Sequence, residues 1–157
     1  MKKQLFIVWA KDYETGIPIL DEQRRGLVSL INSFFFHRGD VSGNINSILV
    51  PTAEMFKSYV QINFATVEKL MRDSGYPDIE KYQQLHEETL AHIVAMDHKY
   101  RRYRDAQGLL DFLKEYWLRG LQEDCHGYLP YLLEKMCDGV ARENARPGAC
   151  GLDPSTL

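Results

Sequence analysis

The residues of this chain best suited to chemistry are its five histidines and three cysteines, and their spacing decides what they can do. His86 heads the run His86-Glu87-Glu88, which suggests acid–base work. Adjacent residues on a helix diverge by about 100°, however, so only one of the three can face a core. Cys125 and His126 are neighbours and point apart for the same reason. His92 and His98 are six residues apart, which is not ligand spacing on a helix face, and His37 suits a helix C-terminus, where a cationic imidazole meets the dipole. Cys125, Cys137 and Cys150 show no metal-ligand spacing and read as free thiols of a reducing compartment. No Ser–His–Asp or Cys–His pair emerges from the spacing, so the chain is read as a non-enzyme.

Composition narrows the classes further. At 157 residues the chain can bury one real core, and 45% hydrophobic with 26% charged residues is ordinary for a globular protein. A formal charge of −3 gives no basic surplus to release phosphate counterions, so nucleic acid is not an expected partner. The basic run His98 to Asp105 is read as a helix end whose cations favour the dipole. No stretch reaches the roughly 18 apolar residues of a membrane span. The segment "LFIVWA" is too brief for a signal peptide, so a cytoplasmic location without membrane contact is expected.

Periodicity supplies the elements that would position these residues. Asp21 can cap a first helix carrying Leu27, Leu30, Ile31 and Phe34, with Gly39 as its terminator. A second helix starts around "GNINSILVPTAEMF", with Pro51 in an early turn or at a kink, and runs to Met71. "DSGYPD" breaks it, and Asp78 can cap a third helix to about Tyr103. "RDAQG" leads to a fourth, "LLDFLKEYWLRGLQEDCHGYL", and "YLLEKMCDGVARE" extends or follows it. The fold class is therefore all-α, an up-down-up-down four-helix bundle at residues 21–142, with an N-terminal arm at 1–20 and a mobile tail at 143–157. Tyr100, Tyr103, Tyr128 and Tyr131 fall near helix ends, as an interface or as bundle caps.

Several stretches, in order, resemble the bacterial hemerythrin family across nearly the whole chain. They are Trp9 with "TGIPILDEQRRGLVSLIN", then "YVQINFATVEKLMRDSGYPDIEKYQQLHEETLAHI", then "DFLKEYWLRGLQEDCHGYLPYL". The Gly-Tyr-Pro turn between "EKLM" and a histidine-bearing helix is the most specific piece. The resemblance implies a hemerythrin-like bundle, a fold in which the family holds two irons and carries oxygen.

It also implies where ligands would stand. The family's histidine position on the first helix holds Arg24, whose guanidinium is always charged and has no lone pair to give. The histidine and glutamate positions of the second helix hold Asn63 and Val67, and the two histidine positions of the third hold Tyr82 and His86. On the fourth, aligned through Phe112 and Tyr128, the positions hold Gly120 and Cys125. Taking Trp117 as the family tryptophan shifts these to Leu121 and His126 and breaks the match at Tyr128. Only His86 keeps the family residue. Both bridging carboxylates are replaced, and a second-shell loss alone costs about 10–100-fold in metal affinity. No di-iron cofactor is expected.

These substituted residues should form a remodelled core lining. A buried guanidinium without a partner costs several kcal/mol, so Arg24 must find a carboxylate, bind an anion or reach the surface. Three uses follow. The bundle serves as a non-catalytic regulatory or interaction module for a protein partner. Alternatively, the lining takes a small anion or apolar ligand near Arg24 and His86 as a sensor. Last, a single metal is held by His86 with Cys125, Tyr82 or His126, or oxygen is bound through non-standard ligands.

Overall fold

The computed structural model describes residues 6–39, 45–121 and 125–144, with backbone alone for 45, 46, 120, 121, 125 and 140–144. A short 3₁₀ turn at Lys11–Tyr13 precedes five helices. These are α1 (Pro18–His37), α2 (Ile45–Ser74), α3 (Ile79–Tyr103), α4 (Ala106–Glu115) and α5 (Cys125–Asn144). A π-helical turn, Tyr116–Leu121, continues α4. No strand occurs among the described residues. α1 packs on α2, α2 on α3, α4 on both α1 and α3, and α5 on α2. The architecture is an all-α helical bundle in which α4 and α5 together make the fourth rung.

Helix ends depart from the sequence reading in instructive ways. α1 starts at Pro18, whose fixed φ and missing N–H suit a first helical position, and the cap residue Ile17 makes no side-chain cap bond. Asp21 lies inside the first turn, where its Oδ1 accepts from the Thr15 N–H at 2.6 Å and the Thr15 hydroxyl at 2.8 Å. Its carboxylate thus pins the incoming arm rather than capping the helix, and φ of +79° at Gly16 lets the chain turn between them. Gly39 has no positive φ, so it is not the left-handed terminator expected. α1 ends instead on Arg38, still right-handed, whose N–H reaches the Phe34 carbonyl at 3.0 Å.

Gly75 does play the terminator's part for α2. With φ +70° it lets Tyr76 N–H reach the Met71 carbonyl at 2.9 Å and its own N–H reach Arg72 at 3.1 Å, a Schellman closure. Asp78 stands at the N-cap of α3 but makes no side-chain cap bond. Asp105 caps α4, accepting from the Gly108 N–H at 2.8 Å. Pro51 sits within α2, where it removes one ladder bond.

Within the expected fourth helix, α4 ends at Glu115 and passes into the π turn, which widens the backbone to Leu121; residues 122–124 lie outside the described residues, and α5 contains the segment expected to extend or follow that helix. A π turn holds an extra residue per turn, and periodicity at 3.6 does not reveal it. The expected mobile tail at 143–157 begins inside α5, which runs to Asn144, and the rest of it, with Cys150, lies outside the described residues.

The buried side chains form two apolar clusters rather than one. The larger includes Leu27, Ile31, Phe34, Phe56, Leu110 and Trp117. The smaller includes Ile17, Leu20, Val67, Met71, Tyr82 and Leu132. Along α1, α2 and α3 the buried Arg24, Asn63 and His86 each fall between residues of the two clusters.

Candidate functional site

The polar layer is built by residues from three helices at the level where one cluster gives way to the other. On α1, Arg24 follows Leu20 of the smaller cluster and precedes Leu27 of the larger. It is only 3% exposed, and its Nη1 donates to the Tyr13 carbonyl at 3.3 Å. The helix phase that buries Leu20 and Leu27 also buries position 24, which is why a charged side chain is held inside.

On α2, Asn63 is buried and its Nδ2 donates to Gln23 Oε1 at 3.1 Å. Gln23 Nε2 donates in turn to the Thr66 hydroxyl at 2.9 Å, and that hydroxyl donates to the Ile62 carbonyl at 2.9 Å. These bonds stitch α1 to α2 with every link a directional one. Val67, one turn on from Asn63, is buried in the smaller apolar cluster.

On α3, His86 is buried, and its Nδ1 lies 2.7 Å from Glu68 Oε1 on α2. A carboxylate only accepts, so the Nδ1 proton points at Glu68. The imidazole also lies flat on the Phe64 ring, with centroids 3.8 Å apart and planes 6° from parallel. One turn earlier, Tyr82 meets Tyr128 of α5 edge-on at 5.2 Å and Tyr76 at 5.8 Å. A Cβ on Gly127 would stand 2.2 Å from the Tyr82 hydroxyl, so the phenol is pressed against the α5 backbone.

Five of the seven candidate lining residues are thus placed in the interior: Arg24, Asn63, Val67, Tyr82 and His86. Gly120 falls in the π turn and Cys125 opens α5, but their side chains lie outside the described residues. His126 is exposed, as are His92, His98, Glu87 and Glu88. Among the described residues no group of three or more His, Cys, Asp and Glu is arranged to hold a metal. Also among them, no helix is long and apolar enough to cross a membrane.

Two features escape the sequence reading. One is Glu68, which stands next to Val67 and so is turned about 100° from the inward position. From there it reaches His86 across the α2–α3 seam. The other is an aromatic group where the arm meets α1 and the π turn. Tyr13 is edge-on to Trp117 at 5.4 Å, Trp9 is 5.9 Å from Tyr13, and Trp9 is 6.1 Å from Trp117. The indole N–H groups of Trp9 and Trp117 are both buried without a hydrogen-bond partner. Each such donor costs about 1–3 kcal/mol. The chain's two tryptophans, one in each segment, were the only available signal.

Comparison with known proteins fits this architecture. No family model matches the chain. A bacteriohemerythrin of Pseudomonas aeruginosa is 26% identical over 136 residues, covering 85% of this chain and 86% of the relative. One from Pseudomonas paraeruginosa is 26% identical over 135 residues. One from Stenotrophomonas maltophilia is 23% identical over 117 residues, 71% of each chain. Crystal structures of two hemerythrin mutants superpose with a TM-score of 0.71 at 16% identity, covering 82% of this chain and 98% of theirs. The fold is therefore the hemerythrin bundle. The chain is similar over most of its length to bacteriohemerythrins and divergent from them in sequence.

Proposed function

We propose that this hemerythrin-like chain has given up di-iron oxygen binding and acts as a non-catalytic binding or regulatory module. The observation that carries the reading is the donor set of the polar layer. Two ferrous ions bring four positive charges, and in a low-dielectric core these need carboxylates and imidazoles around them. Arg24 adds a positive charge and has no lone pair, Val67 has no donor atom, and Asn63 is bonded to Gln23. His86 holds the one family residue, and a single imidazole cannot hold two irons. The described residues do not fit a pair of irons.

What remains is a bundle whose interior is filled by packed and hydrogen-bonded side chains. Output then goes through its surface to a protein partner, with no bond made or broken by the chain. The test is metal content by mass spectrometry on protein produced in iron-supplemented cells, with an absorption spectrum in air. Less than about a tenth of an equivalent of iron, without charge-transfer bands, is the expected result. Near two irons per chain with oxo-bridge bands would overturn the reading.

A further inference from the structure

We propose that the outward face of α2 from Pro51 to Thr66 seats a second copy of this chain, paired antiparallel across a two-fold axis at Ser58 and Tyr59. The argument starts from charge. A helix on a protein surface normally turns charged side chains to water. This face carries Pro51, Met55, Ser58, Tyr59, Ile62 and Thr66 at helical spacing, and none of them is charged. Met55 is 51% exposed and Ile62 53%, with Tyr59 also exposed between them. The flanking Glu54 is engaged to one side, with Lys57 on its own helix and with Arg101 of α3.

The face is levelled and its hydroxyls are already bonded. Tyr59 lies against α1 at Gly26, where an added Cβ would stand 2.5 Å from the ring. Glycine within a helix is unfavourable, and here the absent side chain lets the ring bridge α2 to α1. The Ser58 hydroxyl donates to the Glu54 carbonyl at 3.1 Å, and the Thr66 hydroxyl to the Ile62 carbonyl at 2.9 Å. Covering the face leaves neither hydroxyl without a partner.

The order of residues selects the occupant. In a two-fold contact, if residue i meets residue j, then j meets i. Reversed about the midpoint of Ser58 and Tyr59, Met55 falls on Ile62 and Pro51 on Thr66, so the uncharged pattern matches itself. Each chain carries a formal −3, and a face without charge lets two copies meet without opposing like charges. Extent sets the strength. The face is about 22 Å long and, with α1 beside it, about 20 Å wide. That is about 450 Å² in plan, short of the roughly 800 Å² per partner of a standard interface, so the pair is weak and transient. Pairing does not depend on whether the polar layer binds iron, so its failure and that of the proposed function are distinguishable.

The experiment is sedimentation velocity of the full chain under reducing conditions, from about 5 to about 500 μM. The weight-average sedimentation coefficient should rise with concentration along a monomer–dimer curve. Met55→Lys and Ile62→Glu change exposed side chains, so melting temperature and circular dichroism stay near wild type while association weakens at least tenfold. Val94→Lys, at an exposed apolar position of α3, should associate as wild type does. An equal mixture of Met55→Lys and Ile62→Glu sets a lysine opposite a glutamate across the axis and should associate more tightly than either variant alone. A wild type that stays monomeric throughout, Ile62→Glu pairing as tightly as wild type, or the same loss in Val94→Lys would overturn the proposal and leave the face to a different protein. A mixture no better than its components would overturn the antiparallel pairing.

Discussion

Replacing Glu68 with alanine removes the acceptor that holds the Nδ1 proton of His86 and severs a cross-link between α2 and α3. A hydrogen bond involving a charged partner contributes about 1.5–3 kcal/mol net, and a partly solvated one falls in the lower part of that range. The Glu68 side chain is 21% exposed and the His86 side chain 9%, so the pair is sheltered on one side only. The expected loss for Glu68→Ala is therefore about 1.5 kcal/mol, or a fall of about 3–6 °C in Tm for a chain of this size. Glu68→Gln keeps an amide oxygen that can accept from the imidazole, and it should recover roughly half of that loss. His86→Phe keeps the flat stacking on Phe64 and removes the hydrogen bond alone. Urea unfolding of wild type, both single variants and the Glu68→Ala/His86→Phe double variant closes a double-mutant cycle. A coupling energy of about 1 kcal/mol or more is expected from the direct contact. Additive single effects, or a Glu68→Gln variant no better than Glu68→Ala, would refute the cross-link.

Other perturbations read different parts of the bundle. Gly127→Ala puts a methyl group against the Tyr82 hydroxyl and should destabilise by about 1–3 kcal/mol in urea; an unchanged midpoint would show that the phenol moves freely. Tyr100 is buried, and burial pushes its phenol above the usual value of 10.0, opposed by the nearby Arg104 and Arg101. The folded chain then holds this proton longer than the unfolded one does. Its stabilising effect is complete below the unfolded pKa and is lost as pH rises through the folded one. Absorbance titration of phenolate should show Tyr100 ionising after the exposed tyrosines, and Tyr100→Phe should remove that late step.

Much of the fold was legible because burial follows helical phase. The placement of Arg24, Asn63, Tyr82 and His86 in the interior follows from apolar neighbours such as Leu20, Leu27, Phe64 and Ile93, which carry the 3.6-residue period through them. The hemerythrin resemblance added the order of the helices. What stayed hidden depends on contacts between segments. Asp21 has the residue type of a cap, yet its carboxylate is taken by Thr15 six residues upstream. Gly39 has the type of a terminator, while Arg38 closes the turn without leaving the right-handed region. Glu68 faces the seam rather than the centre, so a pattern that asks only which residues point inward passes over it. The π turn changes the phase of the fourth rung after Glu115, so a register drawn through Phe112 and Tyr128 spans a discontinuity.

The division of the interior into two apolar clusters has a mechanical consequence. α1, α2 and α3 run unbroken past the polar layer, whereas the described part of the fourth rung carries a π turn with Trp117 of one cluster, and α5 carries Tyr128 of the other. Apolar packing resists shear through many shallow contacts, but a layer of hydrogen bonds has few links, each tied to one pair of side chains. The two ends of the bundle are therefore joined at this level by a small number of specific bonds. Local opening is drawn to such weak levels of a structure, so amide exchange at the Tyr82–Tyr128 end should proceed as its own cooperative unit, separate from the end built on Phe34 and Phe56.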